Sequence, residues 1–569
     1  MKSVLRFLAR QAYIGPLFVA AALLAPSVIA SRDEPSSISR ALFMLGISVG
    51  FASVALAFYH RPWVRRLLHL GLFCILLELF YRFAYGGSVS PGLLLSIPET
   101  SGSETLELLA GHPILTTSLS VVMLLAALAL ILTWNAPIRV SPRRCMYGGV
   151  LALSMMIVSV SLSPAPAGKR GSFAAAEFKA TFPVDIAAAL SAVAGDWFDS
   201  RLQASRRAAF TFPNVHLKDA AARDGDGEIY VVMIGETSRR SNWSLFGYPR
   251  DTTPRLEEIS QQLILFDHVT SNATNTVLSL PLAMTRAAPD SHAISRSQKS
   301  IVALLKQAGF ETFWISNQEP SLVKSNPISE IAFDADHISF SADMPPGARQ
   351  GGLDSNLLSR MDDALAGIPK NGKAVIFLHM EGSHFGYKDR YPQSFEHFQN
   401  GRDAPRILPA RQQRLVDEYD NSVSYTDFVV RGAIDRLAAR QIKSGLIYFS
   451  DHGERLFDNG LADSDFGHGF PTISREEIEI PFFFWLSGSF QSANPGIVKA
   501  LKSNAQSTAQ LHNLFETLVD LAGVDYDDRS ANLSLFSTQF KSPAQLDVLN
   551  MQQVRVSLAV TPNAVAARN

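Results

Sequence analysis

The distribution of apolar residues divides this 569-residue chain into two unlike parts. Five apolar stretches lie in the first 164 residues, at roughly 12–30, 42–59, 67–85, 115–134 and 147–163. Each is close to the roughly 17–25 residues that a helix needs to cross the hydrocarbon of a bilayer. The remainder has the mixed composition of a water-soluble domain large enough to bury its own core. We therefore predict a transmembrane domain of about five helices over 1–164.

Basic residues near the apolar stretches predict their orientation. They precede the first stretch and lie between the second and third and between the fourth and fifth: Lys2, Arg6, Arg10, Arg61, Arg65, Arg66, Arg139, Arg143 and Arg144. The connection 86–114 contains neither Lys nor Arg, so the positive-inside rule places it outside and the N-terminus inside. An odd number of crossings then places everything after residue 164 on the outer side.

The basic start, apolar run and small-residue ending of 1–30 also fit a cleaved signal peptide. Cleavage would leave four crossings that begin outside, so the large domain faces the same side under either interpretation.

Residues 165–225 form a predicted amphipathic connector, with apolar residues at near-helical spacing among basic ones. It either lies at the membrane surface or packs on the large domain, and the sequence favours neither. The large domain then spans 226–569.

Charge and cysteine content exclude some functions. The formal net charge is −1, so the chain lacks the basic field that gathers nucleic acid, and we expect no nucleic-acid partner. Both cysteines, Cys74 and Cys145, lie in the apolar part. The large domain therefore contains neither a disulfide nor a cysteine metal site. The sequence gives no oligomeric state.

From about residue 228, short β-branched or aromatic runs alternate with helical patterns, which predicts a mostly parallel sheet between two layers of helices. The predicted strands are 229–235, 312–316, 374–380, 445–450 and 481–487. The predicted helices are 298–308, 353–366, 412–440 and 508–522.

Metal-ligating side chains directly follow two of these strands. Glu236 follows the first, and Asp451 and His452 follow the fourth. In open α/β sheets, ligands bind at the carboxyl ends of the strands. Zinc takes oxygen and nitrogen ligands in tetrahedral geometry and leaves one position for a reacting group. An isolated Asp-His pair is more often a surface turn, but its position after a strand favours a metal site formed with Glu236.

A nucleophile for this site is predicted in NATNTVLSLP (272–281), a turn-like stretch that leads into an apolar helix. Metal coordination makes a threonine hydroxyl a competent nucleophile, and a helix N-terminus favours a phosphate anion. Such a stretch is otherwise an ordinary helix cap. The residues alone do not decide between Thr274 and Thr276.

His384 and His468 are flanked by glycine or small residues, which leaves room for a substrate group beside each imidazole. They are candidates to bind phosphate oxygens, to protonate a leaving group or to hold a second metal. His379 lies within a strand and is predicted to be a buried structural residue. Four polar residues at helical spacing form either a capping face or part of the substrate site: Asp420, Asn421, Tyr425 and Asp427.

Six segments together resemble the phosphoethanolamine transferases of the alkaline phosphatase and sulfatase superfamily: IGETSRRSNWSLFGYPRDTTP (234–254), the Thr276 segment, FWISNQ (313–318), HMEGSHFGYKDRYP (379–392), YDNSVSYTDF (419–428) and YFSDHGE (448–454). The resemblance covers nearly the whole large domain in one order. It implies a multi-pass protein of the bacterial inner membrane whose sulfatase-like catalytic domain, 226–569, lies in the periplasm.

The resemblance also implies roles for individual residues. Glu236, Asp451 and His452 would bind Zn²⁺, with Thr276 as both the fourth ligand and the nucleophile. A second group, His384 and His468, would bind substrate. Thr276 would take phosphoethanolamine from phosphatidylethanolamine and pass it to a lipopolysaccharide or glycan acceptor.

The acceptor is expected to be the core heptose of lipopolysaccharide, with lipid A or a periplasmic glucan as alternatives. Members that modify lipid A carry cysteines where this chain has Asn272 and Leu282. Three competing functions are a sulfatase-like hydrolase, a phosphoglycerol transferase and an inactive glycan- or partner-binding protein. The first is disfavoured because the large domain lacks the C/S-x-P-x-R context that sulfatases modify.

Overall fold

The computed structural model describes residues 14–33, 38–85, 87–97, 116–118, 120–121, 123–124, 140–166, 169–218, 227–318, 327–340, 352–460 and 465–560. The chain divides into two compact units, one formed by 1–94 with 105–196 and the other by 95–104 with 197–569. Most of the predicted connector thus groups with the N-terminal helices. The domain boundaries predicted at 164 and 225 stay predictions.

The first unit is helical throughout its described elements. Its helices are α1 (Ile14–Asp33), α2 (Ile38–Ala57), α3 (Pro62–Tyr85), α4 (Pro91–Ser96), α5 (Pro142–Leu162) and α6 (Arg170–Lys179), followed by the start of α7 (Val184–Ala209). Among the described residues, α2 and α5 are long and apolar enough to cross a membrane. A third span results if α6 and Val184–Gly195, bent by 75°, count as one.

The prediction of apolar N-terminal helices is confirmed, whereas the number of five crossings stays a prediction. The predicted stretches 12–30 and 67–85 fall on α1 and α3. The stretch 115–134 lies largely outside the described residues.

Side chains of the predicted connector pack inside the first unit, which neither interpretation of the connector anticipated. Phe182 and Ile186 are buried in one cluster with Tyr59 and Ile75. Within this unit, Arg82 forms ion pairs with both Glu78 and Asp185. Buried charges require such partners in an apolar setting.

The second unit is built around a seven-stranded sheet. Its strands are β1 (Glu228–Gly235), β2 (Leu263–Leu265), β3 (Glu311–Ser316), β4 (His337–Ser339), β5 (Lys373–His379), β6 (Lys443–Ser450) and β7 (Phe482–Leu486). Their order in the sheet is β2-β7-β6-β1-β5-β3-β4. All neighbours pair in parallel except at β7, which is antiparallel to both β6 and β2.

Helices and short extra strands surround this sheet. The longer helices are α8 (Thr276–Met284), α9 (Ile301–Gln307), α10 (Ser355–Gly367), α11 (Ala410–Ala439), α12 (Pro495–Asn504) and α13 (Leu514–Leu521). Helices of four to six residues are Pro254–Glu257, Ile294–Ser297, Pro327–Ala332, Arg475–Ile478 and Gly488–Ala493. An antiparallel hairpin of β8 (Gln545–Leu549) and β9 (Arg555–Ala559) follows α13.

Strand β1 shows why the sheet is covered on both faces. Tyr230 and Val232 belong to one buried apolar cluster, and Val231 and Met233 belong to another. Successive side chains of a strand point to opposite faces, so an unbroken apolar run needs a core on each side. This placement puts β1 at the centre of the domain, with its carboxyl end next to those of β5 and β6.

The predicted α/β fold and its five strands are confirmed, with ends that agree within two residues. Strands β2, β4, β8 and β9 and the antiparallel direction of β7 were not predicted. The predicted helix 508–522 begins only at Leu514, because 509–510 form a short strand with 269–270.

Candidate active site

The parallel pairing of β1 and β6 brings the predicted metal ligands together. Gly235 at the end of β1 is in register with Ser450 at the end of β6. Glu236 and Asp451 are therefore the first residues beyond two neighbouring strands, and His452 follows. Their carboxylate and imidazole ligand atoms all lie within 4.8 Å of one another.

The three side chains are almost completely shielded from solvent. Glu236 is 1% exposed, and Asp451 and His452 are both 0% exposed. Nε2 of His452 lies 3.4 Å from Oε1 of Glu236 and 3.4 Å from Oδ2 of Asp451. Buried carboxylates persist in proteins when they are paired or coordinate a metal.

Surrounding hydrogen bonds leave one ligand atom of Asp451 and one of His452 for the common centre. Oδ1 of Asp451 accepts from the backbone amides of Thr237 (3.0 Å) and His452 (2.7 Å). Oδ2 of Asp451 is buried and has no hydrogen-bond partner among the described residues. Nδ1 of His452 lies 2.9 Å from the carbonyl oxygen of Gly453, which leaves Nε2 for the centre. This arrangement fits a metal site whose ligands are oriented by a second layer of hydrogen bonds.

The turn after β1 is held in an uncommon backbone conformation. Thr237 has φ of 54°, in the left-handed region. The hydroxyl of Tyr419, on α11, donates to the Thr237 carbonyl at 2.8 Å and accepts from the Arg239 amide at 2.8 Å. The Thr237 hydroxyl in turn donates to Oε1 of Glu236 at 2.7 Å. These contacts fix the carboxylate of Glu236.

The charges of the three ligands depend on one another. Burial raises the pKa of Glu236, but hydrogen bonding and attraction to His452 outweigh burial and hold it well below its ordinary value. Burial lowers the pKa of His452, yet Asp451 and Glu236 raise it to about 10. Burial and then repulsion from Glu236 raise the pKa of Asp451 to about 7. Two buried carboxylates beside one imidazole carry the charge that a divalent cation balances.

Thr276 contacts this cluster, and Thr274 has no such contact. Oγ1 of Thr276 lies 3.0 and 3.2 Å from the two carboxylate oxygens of Glu236 and 3.4 Å from Nε2 of His452. Oγ1 of Thr274 is buried without a hydrogen-bond partner among the described residues.

A side-chain cap holds the start of the helix on which Thr276 lies. It is the first residue of α8, and the side chain of Asn275 caps that helix by accepting from the Leu278 amide at 3.2 Å. Asparagine is a favoured cap because its carbonyl satisfies an amide that the helix leaves unpaired. The Thr276 hydroxyl thus lies where unpaired amides favour an anion.

The two histidines predicted to bind substrate lie side by side. The ring centre of His468 is 4.3 Å from that of His452 and 6.2 Å from that of His384. Nδ1 of His468 lies 3.1 Å from Oε2 of Glu454, so Nε2 is its other polar atom. Burial and the charge on His452 lower the pKa of His468 to about 3, and burial raises that of Glu454 to about 8.

Sequence reasoning assigned no role to two residues near the ligands, Gln318 and Glu454. Nε2 of Gln318 lies 3.3 Å from Oε2 of Glu236. Their partners follow from tertiary contacts that no local pattern reveals. His379 is 2% exposed, as predicted for a buried strand residue.

The polar face of α11 supports structure rather than the site. Asp420 accepts from Arg250 at 2.7 Å and from Asn242 at 2.6 Å. Asp427 accepts from the amides of Arg255 and Leu256 at 3.0 and 2.9 Å. Of the two interpretations of this face, capping fits these contacts.

The fold and these contacts define an α/β protein in which three buried side chains that could hold a metal ion face a threonine hydroxyl. The sulfatase family model matches residues 228–524, just over half of the chain, and the protein belongs to that family.

The chain is 30% identical over 334 residues to the phosphoethanolamine transferase EptC of Escherichia coli K12, covering 58% of this chain and 56% of EptC. It thus spans little more than half of that relative. The crystal structure of the periplasmic domain of Escherichia coli EptC in complex with Zn superposes with a TM-score of 0.56 and 27% identity, covering 61% of this chain and 96% of that domain.

A longer match extends over the N-terminal helices. The integral membrane lipooligosaccharide phosphoethanolamine transferase A (EptA) of Neisseria meningitidis superposes with a TM-score of 0.70, covering 93% of this chain and 97% of EptA. At 21% identity this likeness establishes the fold of both parts: apolar N-terminal helices followed by a sulfatase-like α/β domain.

Proposed function

We propose that this protein transfers phosphoethanolamine from phosphatidylethanolamine to an acceptor of the cell envelope, through an intermediate in which phosphoethanolamine is bound to Thr276. The observation that carries the proposal is the position of the Thr276 hydroxyl, 3.0 Å from Glu236 and 3.4 Å from His452. A relative with 30% identity is named a phosphoethanolamine transferase, which supports the donor group.

The proposed metal is Zn²⁺, held by Glu236, Asp451, His452 and Thr276. Ligand atoms at about 2.0–2.2 Å from a tetrahedral zinc stand about 3.3–3.6 Å apart. The separations of 3.0–3.4 Å among Glu236, His452 and Thr276 are close to that spacing. When bound, the ion would lower the pKa of the threonine hydroxyl and offset charge on the phosphoryl oxygens. The related EptC domain was crystallised with Zn, which supports this identity.

In the first half-reaction, Oγ1 of Thr276 forms a bond to phosphorus while the bond from phosphorus to the glycerol oxygen breaks. Diacylglycerol leaves, and the proton that it gains balances the proton that Thr276 loses. The unpaired amides at the start of α8 favour the phosphoryl anion. We assign His384 and His468 to binding its oxygens, because the ring of His468 lies next to that of His452 and the ring of His384 lies next to that of His468.

In the second half-reaction, an acceptor hydroxyl oxygen forms a bond to phosphorus while the bond from phosphorus to Oγ1 of Thr276 breaks, and the proton that the acceptor loses balances the one that Thr276 regains. We propose the core heptose of lipopolysaccharide as the acceptor, with lipid A and a periplasmic glucan as the alternatives. The protein would be a multi-pass protein of the bacterial inner membrane with the catalytic unit in the periplasm. Helices α2 and α5 support membrane insertion.

The test compares diacyl donors. Full-length protein in detergent is incubated with phosphatidylethanolamine or phosphatidylglycerol of the same acyl chains, with and without lipopolysaccharide core, and diacylglycerol is measured. We expect release from phosphatidylethanolamine and labelling of the core. A preference for phosphatidylglycerol would instead establish a phosphoglycerol transferase. Free phosphoethanolamine without acceptor labelling would establish a hydrolase, and no turnover of either donor would contradict the proposal.

A further inference from the structure

The C-terminal hairpin β8–β9 lies outside the residues 228–524 that match the sulfatase family model. Its five cross-strand pairs run from Gln545↔Ala559 to Leu549↔Arg555. The turn between the strands is closed by Asn550, whose Oδ1 accepts from the amides of Gln552 and Val554 at 3.0 Å each. Met551 lies in this turn, between Asn550 and Gln552.

Strand β8 is joined to the segment that precedes Thr276. The amide of Leu549 donates to the Asn272 carbonyl at 2.8 Å, and Nδ2 of Asn272 donates to the Asp547 carbonyl at 3.0 Å. The side chain of Leu549 packs in a small buried cluster with Ala273 and Leu282. Residues 272–284, which we call the nucleophile turn, therefore contact the hairpin through hydrogen bonds at Asn272 and through packing at Ala273 and Leu282.

Met551 contacts both the cap of α8 and the loop that carries His468. Nδ2 of Asn275 lies 2.9 Å from Sδ of Met551, while the other polar atom of that side chain caps α8. On its other side the thioether fills the space above Gly469, where an added Cβ would lie 3.2 Å from Sδ. Met551 is only 5% exposed. One side chain thus packs against the neighbours of both Thr276 and His468.

We propose that Met551 is a positioning residue. Through Met551 the β8–β9 hairpin holds the nucleophile turn in place and fixes the position of Thr276 relative to His468. This inference rests on the proposed transfer reaction. Met551 acts on Thr276 through Asn275 and on His468 through Gly469, the two residues that it contacts. Small displacements of reacting groups lower the reaction rate because the groups then spend less time in the reactive geometry. A positioning role therefore affects kcat more than donor binding.

The test uses the full-length protein in detergent with phosphatidylethanolamine as donor. In Met551→Ala we expect kcat to fall between about ten- and a hundredfold, with KM within about twofold of wild type. Met551→Leu, which nearly conserves side-chain volume, should recover most of the rate. The matched control is Val554→Ala in the same turn, whose side chain is 56% exposed and which should behave as wild type.

A double-mutant cycle tests the route through Asn275. Asn275→Ser keeps an oxygen that caps the helix but loses the amide that faces Met551. If the two residues act together, the double variant with Met551→Ala loses about as much rate as the more impaired single variant. Losses that multiply would contradict the route. Unchanged kcat in Met551→Ala, or a raised KM alone, would overturn the proposal.

Hydrogen exchange gives a readout that needs no turnover. Met551→Ala should speed amide exchange in 272–284 and leave exchange in β6 as in wild type, because only the nucleophile turn is released. Equal protection of 272–284 in Met551→Ala and Val554→Ala would overturn the proposal that Met551 holds this segment in place. If the wild-type protein cleaves no phosphatidylethanolamine, the proposed function fails. Amide hydrogen exchange in 272–284 still tests whether Met551 holds this segment. If Met551→Ala does not fold, Asn275→Ser must still speed exchange in 272–284 relative to Val554→Ala, and equal protection in these two variants would overturn the proposal.

Discussion

The hydroxyl of Thr276 lies 3.0 Å from Oε1 of Glu236, although the two residues are 40 positions apart in the chain. The carboxylate is fixed by the turn after β1, and the hydroxyl by the cap of α8. The two side chains are therefore positioned by two separate parts of the chain. The same geometry separates Thr276 from Thr274, whose hydroxyl has no partner among the described residues.

Removal of the Thr276 hydroxyl should abolish transfer. Thr276→Ala is expected to lower kcat for diacylglycerol release at least about a thousandfold, as loss of a nucleophile does. Thr274→Val, which keeps the shape of a fully buried side chain, is the matched control and should retain most activity. The contrary pattern, with Thr276→Ala active and Thr274→Val inactive, would move the nucleophile to Thr274.

Loss of a ligand carboxylate should release the metal. Asp451→Asn keeps the size of the side chain but removes the charge of the buried Oδ2. Loss of outer-sphere partners alone costs about 10–100-fold in metal affinity, and a lost ligand should cost more. Zinc per protein, measured by elemental mass spectrometry after dialysis, should fall close to zero. Asp435→Asn, at an exposed ion pair on α11, should keep its zinc; full zinc occupancy in Asp451→Asn would contradict the site.

Glu454 should act through His468. It contacts Nδ1 of that ring at 3.1 Å and therefore fixes its orientation. We expect Glu454→Ala and His468→Gln each to reduce kcat, and the double variant to be no worse than His468→Gln, because both changes remove one function. If the losses of kcat in the two single variants multiply in the double variant, Glu454 has a separate role.

His379 should make stability depend on pH. Burial lowers the pKa of His379 from 6.5 to about 4. Between these values the unfolded chain binds a proton that the folded protein does not, so stability is complete above pH 6.5 and falls as pH drops toward 4. The lowered pKa of His379 should reduce the free energy of unfolding at pH 5 by about 2 kcal/mol relative to neutral pH.

Denaturant unfolding at pH 7.5 and pH 5 measures this effect. His379→Gln cannot gain a proton and should lose less stability than wild type between the two values. The exposed His216→Gln serves as control and should follow wild type. An identical pH dependence in His379→Gln and wild type would show that His379 does not titrate as its burial requires.

The sequence predicted the centre of the fold well, because central strands and their ligands carry strong local signals. Strand β1 is an apolar run long enough to be recognised, and Glu236 follows it directly. The edge strands β2 and β4 have only three residues each, too few for a periodic pattern. The contact between Glu454 and His468 was missed because it depends on the antiparallel pairing of 455–456 with 466–467.

The intact mass of the protein after incubation with phosphatidylethanolamine, without acceptor, tests the central claim most directly. Tryptic peptides then locate any adduct, and Thr276 lies in the peptide 256–286. A phosphoethanolamine group on Thr276, absent in Thr276→Ala, is the predicted result. An unmodified 256–286 peptide in zinc-loaded protein that nevertheless releases diacylglycerol would contradict the threonine intermediate.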